Sequence, residues 1–154
     1  MAISNTLRRY LDSSGIAYET VKHPFSTSSQ KIAEVAHVSG LRLAKGVLLR
    51  DGLGYLLAVL PSPLHVELDT LNELFDRDFE LVEEEEIAQL FPDCDVGAIP
   101  PIGVAYEIEV VLDIRLCDEP DIYFEAGDHV ELIRVGGTDF QTLLRGARQL
   151  RFAH

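Results

Sequence analysis

This chain has few cysteines, little positive charge and no long apolar run, and each shortage closes off a class of protein. Its two cysteines, Cys94 and Cys117, are too few for a disulfide framework, and neither stands in a CxxC or other metal-ligand spacing. Two reduced thiols in a cytoplasmic protein are the expectation. No stretch reaches the roughly 18 consecutive apolar residues of a membrane-spanning helix. The opening residues, Met-Ala-Ile-Ser-Asn-Thr-Leu-Arg-Arg-Tyr, carry no apolar core of a secretory signal, so none is expected. Basic residues number 13 against 26 acidic ones, a net charge of −13. Ten of the basic residues fall into small groups: Arg8-Arg9, Lys22 with Lys31, Arg42-Lys45-Arg50, and Arg145-Arg148-Arg151. No continuous basic footprint exists to release counterions from a long polyanion, so a purely electrostatic grip on nucleic acid is excluded. Neither DNA nor a membrane is an expected partner.

Familiar catalytic signatures are missing too. There is no Gly-x-Ser-x-Gly elbow for a covalent hydrolase and no His-Glu-x-x-His or comparable metal constellation. No metal and no cofactor are expected. Cys94 lies within Asp93-Cys94-Asp95, where flanking carboxylates disfavour the thiolate and make it a poor nucleophile. The cluster Ser26-Thr27-Ser28-Ser29 is better explained as a helix start.

What is present is a chain of 154 residues, 47% hydrophobic, which suits one domain with a real core over residues 1–154. Leu7, Tyr10 and Leu11 have helical spacing within 5–14, with Ser4 as cap and Gly15 as stop. A strand is predicted over 17–21, then a bend at His23-Pro24 and a helix with Ile32, Val35 and Ala36 on one face. The apolar runs 43–50 and 55–60 flank Asp51-Gly52-Leu53-Gly54 and read as a hairpin. Beyond it the pattern predicts a helix over 66–74, a strand over 79–82 and a helix over 83–91. Strands over 105–112, 122–124 and 129–135 follow, then a last helix over 140–150. Strands interleaved with helices, some joined by hairpin turns, argue for an α/β fold with a mixed sheet.

Two features carry chemistry. Val96-Gly97-Ala98-Ile99-Pro100-Pro101-Ile102-Gly103 is an uncharged, stiff turn able to present bare backbone N–H groups. Lys45 is a cation inside the apolar strand Leu43-Ala44-Lys45-Gly46-Val47, either reaching solvent or held near an anionic ligand. Backbone donors plus a nearby cation can stabilise an oxyanion without a protein nucleophile. On residue chemistry alone this leaves open acyl transfer or simple anion binding. His23 and His129 are weaker candidates.

The ordered set His23-Pro24, Leu43-Ala44-Lys45, the Gly97-to-Pro101 G-x-x-x-P loop, and Glu125-Ala126-Gly127-Asp128-His129 resembles the YbaK/prolyl-tRNA synthetase-associated editing domain. The resemblance spans nearly the whole chain. It implies a single mixed sheet, partly barrel-like, flanked by helices. It also implies a trans-acting aminoacyl-tRNA deacylase that removes a small amino acid such as alanine or cysteine, often from tRNA for proline, without a covalent nucleophile. Carried over, Lys45 matches the family's essential lysine, thought to engage the 3′-terminal adenosine region. Gly97 and Pro101 bound the loop, with Ala98 and Ile99 inside it, whose N–H groups hold the ester carbonyl. His129 lies close to a pocket histidine of some members, and His23 falls in the His-Pro pair. The implied partners are the tRNA acceptor end and a synthetase or elongation factor that supplies further RNA contacts. Two positions depart from the family pattern: Gly46, where several members carry Asn, and Pro100, where a small residue such as Ser is common. With the acidic charge, these sustain an alternative expectation, a non-catalytic ligand-binding or regulatory module that kept the fold.

Overall fold

A computed structural model describes residues 3–26 and 29–154. Thr27 and Ser28 of the expected helix start, and the side chain of Val35, lie outside the described residues. The first helix, α1 (Asn5–Ser14), forms for the reasons its sequence gives. Ser4 Oγ accepts the Leu7 N–H, Leu7 and Leu11 are buried, and Gly15 closes the helix at φ 72° with its N–H on Asp12 O. Next come β1 (Glu19–Lys22), α2 (Ser29–Val35), β2 (Leu43–Asp51) and β3 (Gly54–Pro61). The β2–β3 turn is pinned by Asp51, whose Oδ1 accepts the N–H groups of Leu53 and Gly54. Arg77 donates to both Asp51 oxygens at 2.6 and 2.7 Å, and that hydrogen-bonded pairing holds the carboxyl well below the usual carboxylate range. β3 runs through the middle of the sheet, and Leu56 to Leu60 are wholly buried, which explains its unbroken apolar sequence.

The remaining elements are α3 (Leu68–Phe75), β4 (Glu80–Leu81), α4 (Glu84–Leu90), β5 (Glu109–Asp113), β6 (Asp121–Glu125), β7 (Glu131–Gly136), α5 (Gly137–Leu143) and β8 (Arg148–Leu150). The strands form one sheet in the order β1-β7-β6-β2-β3-β5-β8, with β4 also on β2. β1/β7, β6/β7, β2/β3 and β2/β4 pair antiparallel; β2/β6, β3/β5 and β5/β8 pair parallel. The mixed sheet is therefore present. Among the described residues no pairing joins β1 to β8, so the sheet is open. One face packs Ala44, Leu48, Phe124 and Phe140 with α1 and α5, and the other packs Leu49, Leu56 and Phe79 with α3 and Phe152.

Several boundaries differ from the sequence pattern. The strand predicted over 105–112 begins only at Glu109, because Gly103–Tyr106 winds a 3-10 turn that ends with Glu107 at φ 59°. That turn delivers the Tyr106 hydroxyl to Asp93 Oδ1 at 2.9 Å and to within 2.6 Å of Ser4 Oγ. The last helix stops at Leu143 rather than continuing to 150; Gly146 reverses the chain at φ 89° into β8. The buried Asp113 carboxylate then fastens the end of the chain, accepting the N–H groups of Phe152 and Ala153 at 3.2 and 2.9 Å. β7 starts late because Asp128 Oδ1 accepts the Val130 and Glu131 N–H groups, an Asx turn that delays the ladder.

Candidate active site

β2 is forked. Its first residues, Leu43 and Ala44, pair with Tyr123 and Phe124 of β6, whereas Leu49 and Arg50 pair with Leu81 and Glu80 of β4 on the same edge. Between the two partners Lys45 to Val47 lose their neighbour on that side, and Leu48 O accepts the Val82 N–H. A cavity of about 270 Å³ opens there, lined by 43–48 of β2, by Leu81, Val82 and Ile87, by Gly97 and Ile99, and by Glu125. The next step of the β2/β6 register would set Lys45 beside Glu125, at the place where the pairing stops.

Lys45 is half-buried, and loss of hydration lowers its pKa from the ordinary lysine value. Among the described residues it makes no ion pair. The loop that forms the opposite wall is fixed by backbone pairing with the Gly127 turn: Asp95 N–H to Gly127 O at 2.7 Å, and Gly127 N–H to Ala98 O at 3.0 Å. Both turns require glycine, with φ 81° at Gly97 and φ 108° at Gly127. A Cβ on Gly127 would lie 3.0 Å from Ser4 Cβ, so the segment before α1 is seated directly on this turn. Ser4 also donates to Asp93 Oδ2 at 2.7 Å, and the Thr6 N–H donates to the same oxygen at 2.9 Å. Burial alone would raise the Asp93 pKa, but the donors from Thr6, Ser4 and Tyr106 outweigh it and hold the carboxyl well below its usual range.

The consequence is a rigid loop with open donors. The Ala98 N–H is used by Asp95 O, but among the described residues the N–H groups of Gly97 and Ile99 meet no protein acceptor. Lys45, Gly97 and Ile99 thus share one cavity. The other sequence candidates sit around it without lining it. Ala98 is buried and pairs with Gly127; Pro101 is buried, with its Cα 3.4 Å from where a Gly46 Cβ would stand. His129 lies under the loop, Nε2 2.7 Å from Val96 O and Cε1 3.5 Å from a Cβ built on Gly97. A carbonyl only accepts, so Nε2 carries the proton and, in the neutral ring, Nδ1 is bare. The exposed Phe25 ring meets His129 edge-on at 5.3 Å. His23 is buried one step further out, its Nδ1 2.8 Å from Pro24 O and its N–H on Val130 O.

Glu125 enters the site as a residue the sequence reasoning counted only as part of a turn. It is 8% exposed, its Oε1 has no hydrogen-bond partner, and His129 Nδ1 stands 3.8 Å away. Burial, with a smaller contribution from the nearby Asp128 charge, pushes its carboxyl up to about 8. The signal in the sequence was a lone acid closing an apolar strand, Ile-Tyr-Phe-Glu-Ala. Cys94 is no nucleophile: burial, with the Asp93 charge adding to it, pushes its thiol up to about 12 despite a contact with Tyr106. Among the described residues no cluster of three or more His, Cys, Asp or Glu side chains is arranged to hold a metal ion, and no helix is long and apolar enough to cross a membrane.

A small cavity with a cation on one wall and a donor-bearing glycine loop on another has the chemistry to receive a compact anionic or acyl group. Residues 23–143 match the sequence profile of the aminoacyl-tRNA editing domain, and the chain belongs to that family. Its fold is shared with solved structures of low sequence identity. A protein proposed to be a trans-editing enzyme for prolyl-tRNA synthetase superposes with TM-score 0.84 at 20% identity, covering 99% of each chain. The hypothetical protein APE2540 superposes with TM-score 0.86 at 18% identity, covering 97% of this chain and 100% of its own. A protein of Marinobacter aquaeolei VT8, proposed to act in signal transduction, matches 96% of this chain with only 30% of its own length, with TM-score 0.80 at 18% identity. No curated protein matches this sequence.

Proposed function

We propose that this protein hydrolyses the ester of mischarged aminoacyl-tRNA in trans, taking a small amino acid such as alanine or cysteine from the 3′ end, with tRNA for proline as the preferred carrier. The observation that carries the reading is the convergence of Lys45, Gly97 and Ile99 on one cavity at the fork of β2. An aminoacyl ester is already activated, so positioning and charge stabilisation can supply the acceleration. Water, oriented by the substrate's free ribose hydroxyl, adds to the ester carbonyl carbon. The negative charge that develops on the carbonyl oxygen is met by the N–H groups of Gly97 and Ile99. The carbon–O3′ bond then breaks, the ribose oxygen takes up a proton, and free amino acid and tRNA leave. Lys45 holds the terminal phosphate. No protein side chain forms a covalent bond.

A cavity of about 270 Å³ must hold the aminoacyl group and part of the ribose, so larger amino acids are excluded by volume. Size exclusion is the stronger device here, since one added methylene in an apolar pocket is worth only about 1–3 kcal/mol. The acidic surface is compatible with this substrate, because an acceptor end offers few phosphates. The test is hydrolysis of a panel of mischarged tRNAs, alanyl-tRNA for proline included, by wild type and Lys45→Ala side by side. Turnover that disappears in a folded Lys45→Ala protein supports the reading. Absence of turnover on every member of the panel refutes it.

A further inference from the structure

Five buried side-chain atoms lack a hydrogen-bond partner among the described residues, and four of them belong to His23 and the 125–129 turn: His23 Nε2, Glu125 Oε1, Asp128 Oδ2 and His129 Nδ1. The two histidine nitrogens and Asp128 Oδ2 are acceptors in this setting, and Glu125 is a carboxyl with no partner for Oε1. The Val96 carbonyl claims the His129 Nε2 proton and the Pro24 carbonyl claims that of His23 Nδ1, leaving the far nitrogen of each neutral ring bare. Asp128 spends only Oδ1 on the Val130 and Glu131 N–H groups. The region is therefore rich in acceptors and short of donors. Buried polar groups are normally paired with protein, water or ligand, so an unpaired one that lines a cavity is where a donor-bearing ligand can be received.

Of the four, Glu125 is the one that lines the cavity. Lys45 lines it too, yet no ion pair joins them, although the strand register brings them to the same step. The groups that face the Glu125 carboxyl are Asp128, which repels an added negative charge, and His129, whose bare nitrogen offers no donor. Among the described residues no lysine or arginine pairs with it, and His129, 3.8 Å away, does not do so while its ring is neutral. The cavity thus presents a cation and, apart from it, a carboxyl that awaits one. The end of an aminoacyl-tRNA carries the complementary pair: a phosphate, and three N–H donors on an α-ammonium next to the ester carbonyl.

We infer that Glu125 is a substrate-binding residue that receives the α-ammonium group of the aminoacyl ester, an assignment that takes the ligand's identity from the deacylase reading. The ammonium supplies the missing donors and converts the carboxylic acid to a carboxylate, which releases a proton to solvent on binding. Such a site accepts aminoacyl ends whose amine is free and rejects N-acylated ones, which have lost the charge and two donors.

The experiment is titration calorimetry with a stable amide analogue, 3′-alanylamino-3′-deoxyadenosine, and its N-acetyl derivative. Wild type and Glu125→Gln are compared at pH 7 in two buffers of different ionisation enthalpy, and hydrolysis of alanyl- and N-acetylalanyl-tRNA is run in parallel. Wild type is expected to bind the free amine at least about tenfold more tightly and to release close to one proton per site. Glu125→Gln is expected to bind the two analogues within about twofold of one another, with no proton release. Equal binding and equal hydrolysis of the two forms by wild type overturns the inference while leaving the deacylase reading intact. So does a preference that survives in Glu125→Gln. Discrimination between the analogues without turnover of any tRNA supports the ammonium site and overturns the deacylase. Failure to bind either analogue or to hydrolyse any tRNA overturns both.

Discussion

Glu125→Gln also changes the unliganded protein in a way that can be worked out in advance. The substitution keeps the shape of the side chain and removes its ability to ionise, exchanging one oxygen for an amide NH2 whose effect does not vary with pH. In the unfolded chain Glu125 titrates near 4.5, and in the folded protein burial raises that to about 8. The folded state therefore holds a proton that the unfolded state has lost at every pH between the two values. The stability associated with the neutral carboxyl is fully present below about pH 4.5 and declines as pH rises towards 8, after which it is spent. At about 1.36 kcal/mol for each pH unit, the interval corresponds to roughly 5 kcal/mol, an upper figure because a carboxylate that draws in water would settle lower. Gln has no such titration. Urea unfolding of both proteins at intervals from pH 4.5 to 9 isolates the effect, since every other titrating group cancels in the difference. The variant is expected to gain on wild type by several kcal/mol across that range, almost all of it between pH 5 and 8. A difference that stays flat across the range would show that Glu125 is ionised in the fold throughout, and the account of an unneutralised buried carboxyl would be wrong.

Other consequences are equally open to measurement. Asp93→Asn removes a carboxylate whose folded pKa is depressed, so wild type should be more stable by about 2–4 kcal/mol above pH 4, an advantage that shrinks as pH falls below that; chemical denaturation at pH 7 and pH 3 checks the sign. Gly97→Ala meets only His129 Cε1 at ordinary contact distance, so its cost is the positive φ, about 1–2 kcal/mol, and a larger loss by thermal unfolding would mean the loop is packed more tightly than described. Gly46→Ala places a Cβ 3.0 Å from Leu57 Cδ1 and 3.4 Å from Pro101 Cα, and should cost about 1–3 kcal/mol and impair turnover by displacing the Pro101 end of the loop. A neutral effect on both would dissociate Gly46 from the site. Cys94 should resist alkylation by iodoacetamide at pH 8 until the protein is unfolded, as followed by mass spectrometry.

Much of this molecule was legible in its residues because the signals were local. The first helix runs over the residues that its cap, its apolar spacing and its stop glycine specify, and the 51–54 turn produces the hairpin it advertises. Lys45, Gly97 and Ile99 could be placed in one site through family resemblance, and the structure puts all three on one cavity. What stayed hidden depends on partners distant in sequence. The last helix ends early because the chain after Gly146 is claimed by β5, whose Val111 to Asp113 pair with Arg148 to Leu150, and Asp113 then takes the N–H groups of residues 152 and 153. The 103–106 turn replaces the start of a strand because Tyr106 is drawn to Asp93 and Ser4. Glu125 is ordinary in a linear reading; its meaning comes from being buried on the cavity wall with no hydrogen-bond partner for Oε1 among the described residues once the chain is folded.

The forked pairing of β2 separates two properties that enzymes often tie together. The lysine end of the fork is anchored by β6 and β3, while the far wall, formed by Leu81, Val82 and Ile87, is tied to β2 by the short β4 ladder, the Val82 N–H on Leu48 O and the pairing of Arg50 with Glu80 and Glu86. Exchanging Leu81 or Ile87 resizes the chamber from outside the strand that carries Lys45 and the glycine loop, whereas Val82 packs in the same core as Ala44 and Leu48. Evolution, or a protein engineer, can thus change the room in the cavity from one wall while Lys45 and the glycine loop keep their places.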